Sequence, residues 1–138
     1  MSSEELFRKV KDLNLPSGQY ALFGSTPLGV RGIRESRDAD VIAAGSLYQK
    51  LKDTRKWKTK LTPRGTECLI NEDGDIEILR DWGPGQWDIG KLISNSEIID
   101  GLPFVLLEEV LRWKKLYGRE KDLNDVELIM GYIKNNGK

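Results

Sequence analysis

The stretch FGSTPLGVRGIRESRDADVI, Phe23 to Ile42, limits the fold more than any other part of the chain. The apolar run QYALF stops at Gly24, STPLGVRGI offers Ser25 or Thr26 as an N-cap with Pro27 in the first helical turn, and DADVIAA begins a second run of strand formers. The predicted order is strand, tight turn, short helix, strand. On the second strand residues i and i+2 share a face, so Asp38 and Asp40 aim together while Ala39 and Val41 turn to the core.

Two neighbouring carboxylates repel. In a partly buried site such a pair holds one proton, unless a divalent cation lets both ionise. Hard oxygen ligands favour magnesium, which takes one or two protein carboxylates and fills its other positions with water and substrate phosphates. The pattern therefore predicts a phosphate-bearing ligand, and Gly24 supplies a place where phosphate oxygens approach the backbone closely, with the Ser25 hydroxyl beside it. A third carboxylate would complete a two-metal centre. Glu77 alternates with Ile76 and Ile78 in GDIEIL and is the first candidate, with Asp75 the second.

Composition excludes much else. The 138 residues are one domain by length, spanning 1–138, and 22 basic residues cancel 22 acidic ones, so bulk charge does not predict a nucleic-acid or membrane binder. There is no histidine, which removes the commonest neutral-pH base, Ser-His and Cys-His pairs, and ordinary zinc sites. A single cysteine, Cys68, has no partner for an intrachain disulfide, and MSSEELFRKV lacks the apolar core of a signal peptide. The expectation is a cytoplasmic protein without a membrane partner.

The remaining segments read as an α/β (α+β) domain, a mixed β-sheet flanked by helices. Leu6, Val10 and Leu13 predict an N-terminal helix, with Ser2 and Glu5 at capping-box spacing. SLYQKLKDTRKW predicts a helix, WKTKLTP, TECLI and DIEIL predict strands, the last two joined across NEDG, and DWGPGQWD a loop. FVLLEEVLRWKKLY and DLNDVELIMGYI predict two closing helices. The core motifs thus fall within 20–80 and a helical part within 100–136.

Each residue also has an ordinary structural reading. Gly24-Ser25 suits any strand-to-helix turn, and Asp38 and Asp40 suit solvated strand ends or caps. Glu77 suits a cross-strand ion pair with Lys58 or Lys60. Asp122 suits a helix cap, Trp113 the core, and Cys68 a buried strand position. Trp82 or Trp87 would stack on a base or simply pack, and Arg31, Arg34 and Arg37 would line an anion channel or an exposed helix face.

LFGS, twelve residues, then DADV resembles the signature of the DNA polymerase beta-like nucleotidyltransferase superfamily. RWKKLYGREKDLNDVELI looks like the C-terminal segment of its abortive-infection-type and aminoglycoside-nucleotidyltransferase-like branches. The resemblance implies a minimal nucleotidyltransferase fold that binds a nucleoside triphosphate with two magnesium ions and moves a nucleoside monophosphate to an acceptor hydroxyl. It implies that Gly24 and Ser25 hold the terminal phosphates and that Asp38, Asp40 and Glu77 are catalytic and bind metal. Lys121, with Lys114 as second candidate, would reach the phosphates, while Asp122 and Asp125 position the last helix around the nucleotide. The acceptor, a small molecule, an RNA end or a protein side chain, is not specified, and a second copy or a partner protein would complete its site. The alternative is a binding module of the same fold without turnover, such as one half of a toxin-antitoxin pair.

Overall fold

In the computed structural model, which describes residues 2–136, the chain is mixed α/β: seven strands form one mixed sheet, and six helices cover it. Helix α1 (Ser3–Asp12) begins where the Ser2 hydroxyl accepts the Glu5 amide, and it buries Leu6 and Val10. Strand β1 (Tyr20–Phe23) is buried along its length and ends at Gly24. Helix α2 (Thr26–Val30) is one short turn with Ser25 at its N-cap position, where the hydroxyl makes no capping bond, and with Pro27 early as the sequence predicts. Strand β2 (Ala39–Ala43) and strands β3 (Lys58–Leu61), β4 (Glu67–Ile70) and β5 (Ile76–Leu79) fall on predicted segments, as does helix α3 (Gly45–Asp53), which stops four residues short of the predicted Trp57, before Arg55 at φ +60°.

The region after Leu79 departs from expectation. Helix α4 (Ile89–Ser94) and the hairpin of β6 (Glu97–Ile99) with β7 (Leu102–Phe104) occupy a stretch that, up to Pro103, has no helical or strand prediction. Phe104, read from the sequence as the start of a helix, ends β7, and α5 (Leu107–Tyr117) begins three residues later. The reason is tertiary. A buried run too short for clear periodicity fits strand or helix, and here Phe104 pairs in parallel with Leu22, giving β1 a neighbour on its open side. Helix α6 (Glu120–Asn135) starts two residues earlier than the apolar spacing suggests, because Arg119 is its N-cap and Asp122 accepts the Arg119 amide from the third position.

The sheet order is β3-β4-β5-β2-β1-β7-β6, with β2 antiparallel to β1 and parallel to β5. Side chains alternate across it into two cores. On one face Leu22, Val41, Ile78 and Phe104 meet α1 and α3; on the other Ala21, Phe23, Ile42 and Leu79 meet α4, α5 and α6. Among the described residues no helix is long and apolar enough to cross a membrane.

Candidate functional site

Where the second core stops short of the sheet's edge, a cleft of about 930 Å³ opens between β2, β5 and the α5–α6 pair. Gly24, Ser25, Asp38, Asp40, Glu77, Lys114, Lys121 and Asp122 all line it, so the candidates from distant parts of the sequence meet at one cleft. Asp40 and Glu77 are register partners on parallel neighbouring strands, and Asp38 stands exposed at the entry to β2. Asp75, the second candidate for a third carboxylate, is turned away: it takes a 2.6 Å bond from Lys9 of α1, which packs on the opposite face, and a 2.7 Å bond from Asn71.

Gly24 is required by that arrangement. Its φ is +66°, and a Cβ placed on it would lie 2.5 Å from Asp40 Oδ2. The missing side chain is therefore the space that the Asp40 carboxylate occupies. Burial, and then repulsion from Glu77 and Asp38, push the Asp40 carboxyl up to about 7, with Lys114 and Lys60 pulling in the opposite direction. Lys60 of β3 forms an ion pair with Glu77 and is itself held charged by it, which is the cross-strand pairing open from sequence. The Ser25 hydroxyl shares a 2.7 Å hydrogen bond with Ser36.

Across the cleft a second cluster binds α5 to α6. Lys114, 3% exposed, places Nζ 2.8 Å from Asp125 and 3.6 Å from Asp122. Arg34 grips Asp125 with two bonds of 2.7 and 2.9 Å, and Arg119 grips Asp122 through Nε at 2.6 Å. Burial alone would raise the Asp125 carboxyl, but its bonds to Arg34 and Lys114 outweigh that and hold it below the ordinary carboxylate range. Lys114 is thus committed to two carboxylates, whereas Lys121 is exposed on the cleft wall with no ion pair among the described residues.

The arginines divide. Arg34 and Arg37 line the cleft, while Arg31 turns to Glu97 and the Pro27 carbonyl. Sequence reading missed Arg64 of the cleft wall, which no motif marks, and gave no role to Tyr117, although it lies within RWKKLYGREKDLNDVELI. Of the tryptophans, Trp82 lines the cleft and has one face stacked on Phe23 at 4.5 Å, while Trp87 lies outside the cleft lining with Arg112 over its ring. Trp113 is core and donates to the Gly83 carbonyl, and Cys68 is buried, which pushes its thiol up.

Among the described residues no three acidic or cysteine side chains converge into a ready-made metal cage. The donor set is instead open: two half-buried carboxylates side by side, a third at the entry, and cleft volume beyond them, which fits an ion that completes its shell with water and ligand oxygens. Comparison of the chain with protein-family models, curated proteins and solved structures gave no match.

Proposed function

We propose that this chain is a magnesium-dependent nucleotidyltransferase of the DNA polymerase beta-like kind, moving a nucleoside monophosphate from a triphosphate to an acceptor hydroxyl. The observation that carries the reading is the register of Asp40 with Glu77 beside Gly24. Burying two carboxylates next to one another against a glycine too close to accept a Cβ raises a carboxyl to about 7, an arrangement with no structural benefit in the free protein.

Asp38, Asp40 and Glu77 would hold the divalent cation, which when bound neutralises phosphate charge and makes a hydroxyl more acidic. Gly24 and Ser25 line the end of the cleft that would receive the terminal phosphates, and Lys121 adds an exposed positive charge. Attack by the acceptor oxygen on the α phosphorus forms one P–O bond and breaks the bond to the leaving pyrophosphate. The proton passes to a carboxylate, Glu77, since the chain has no histidine. The Lys60–Glu77 ion pair supports the second reading, a nucleotide-binding module without turnover, because that pair must open before Glu77 meets a cation or a proton.

Incubation with each labelled triphosphate, magnesium and a cell extract tests transfer, and label on any acceptor, lost in Asp38→Asn/Asp40→Asn, is the expected result. Calorimetry separates the two readings from a purely structural one. Triphosphate affinity that is unchanged by excess chelator removes the metal from the argument, and absence of triphosphate binding removes both readings.

A further inference from the structure

The chain is neutral overall, but its charge is not evenly spread. Residues 50–65, KLKDTRKWKTKLTPRG, hold seven lysines and arginines against the single Asp53, a formal +6 that the other 122 residues balance with −6. This segment forms the end of α3, the turn after it, the sheet-edge strand β3 and the β3–β4 turn. All four residues of β3 are exposed.

The strand register gives the cations a direction. Lys58 and Lys60 stand opposite Ile70 and Cys68, and Ile70 stands opposite Glu77, so both lysines lie on the face of the sheet that carries the cleft. They are about 7 Å apart on an extended strand. Lys60 reaches Glu77, and Arg64 in the following turn lines the cleft itself, with its guanidinium lying over Gly83 where even a Cβ would collide. Among the described residues Arg55, Lys56 and Lys58 make no ion pair, whereas Lys52, on the other face, is neutralised by Glu67. Exposed like charges left unpaired in a row, and continued toward the cleft by Lys60 and into it by Arg64, whose partners Glu77 and Asp81 (3.9 Å) leave both nearly half exposed, fit a ligand with repeated negative charge that is narrow enough to enter.

We propose that the β3 edge, from Arg55 through Lys58 and Lys60 to Arg64, is a docking surface for single-stranded nucleic acid, with one end of the strand directed into the cleft at Glu77. The docking stands on the charge layout alone; its identification with the acceptor of the transfer reaction rests on the function proposed above. A membrane surface would meet the exposed edge but has no means of following the cations into a cleft, and a thin polyanion does both. The sequence-wide balance hides the feature because acidic residues elsewhere cancel it, and electrostatic attraction falls away within a Debye length.

Fluorescence anisotropy of labelled mixed-sequence oligoribonucleotides and oligodeoxyribonucleotides against the full chain tests the proposal. The expected result is binding that weakens with salt, and a Lys56→Glu/Lys58→Glu variant that binds about tenfold more weakly, with a log-log salt slope shallower by roughly 1.4, near 0.7 for each phosphate that is no longer neutralised. Preference for the ribose or the deoxyribose strand identifies which source the surface takes. A Lys91→Glu/Lys134→Glu variant carries the same change in net charge on other surfaces and is expected to bind within twofold of the parent. Equal weakening in both variants overturns the proposal, as does the absence of oligonucleotide binding up to about 100 μM protein at low salt. Pelleting with anionic phospholipid vesicles in the absence of oligonucleotide binding also overturns it. The salt slope of the parent protein keeps the test decisive even if a variant fails to fold. Transfer is not read in this experiment, so failure of the catalytic reading leaves its outcome unchanged.

Discussion

The cleft is bounded by two clusters of carboxylates that have opposite fates. Asp122 and Asp125 are nearly inaccessible, yet each is met by cations: Lys114 lies between them, Arg119 holds one and Arg34 the other. Of Asp38, Asp40 and Glu77, only Glu77 has an ion pair among the described residues, with Lys60; burial, then repulsion from Glu77 and Asp38, pushes Asp40 up to about 7 against the pull of Lys114 and Lys60. The first cluster is complete within the chain and serves to join α2's loop, α5 and α6. The second is left short of positive charge at a cleft wall, the condition expected where charge compensation arrives from outside.

Breaking the first cluster carries the largest expected effect. Asp125→Ala leaves Lys114 buried with only Asp122, 3.6 Å away, and frees Arg34 from its bidentate partner. Stability is expected to fall by about 3 kcal/mol, and Tm by about 10 °C, in differential scanning calorimetry. A drop smaller than a typical surface substitution, about 0.5 kcal/mol, removes the structural role of this cluster.

In the second cluster the sign reverses. The folded carboxyl of Asp40 lies near 7, above its ordinary 3.8, so the folded chain binds the proton more tightly than the unfolded one. Its contribution is present at acid pH and is lost as pH rises through that window from about 4 to about 7. Asp40→Asn is therefore expected to stabilise the metal-free protein by roughly 2 to 4 kcal/mol at pH 8, with the gain shrinking toward zero near pH 4. Denaturation at a series of pH values reads this directly; a pH-independent loss of stability makes Asp40 a structural anchor instead.

Lys60→Gln sharpens the comparison with a smaller change. The lysine is nearly half exposed, so stability should move by less than about 1 kcal/mol. Titration calorimetry is expected to show magnesium or manganese binding severalfold more tightly, because the resident cation no longer competes for Glu77. Unchanged ion affinity separates Glu77 from the ion site.

Lys121→Ala should be silent in stability, within about 0.5 kcal/mol, because the side chain is exposed and, among the described residues, unpaired. It is expected to weaken triphosphate binding more than monophosphate binding, with the difference fading as salt rises. Equal weakening for ATP and AMP places Lys121 away from the terminal phosphates.

Much of this was legible along the chain. Strand alternation alone put Asp40 on one face of β2 and Ala39 and Val41 on the other, whereas Asp38, expected on the same strand, lies at a bend just before it and meets the cleft from there; the stop at Gly24 followed from an apolar run meeting a residue that accepts positive φ. Local signals also fixed α1, through Ser2 and its apolar period, and the β4–β5 hairpin. These features depend on neighbours within a few residues, where backbone geometry is common to all proteins.

Which carboxylate joins Asp40 was open in the sequence, because Asp75 and Glu77 share the same period; it was decided by the β2–β5 register and by Lys9, 66 residues from Asp75, capturing the rival. The commitment of Lys114 to Asp122 and Asp125 depends on α5 lying against α6, and β6 and β7 exist because β1 has an open side for Phe104 to pair with. Pairings between distant residues are selected by the burial and charge balance of the assembled chain, and no local propensity encodes them. The residue types at the cleft were therefore a property of the sequence, while the division into a neutralised cluster and an unsatisfied one arose only when the sheet and the two closing helices came together.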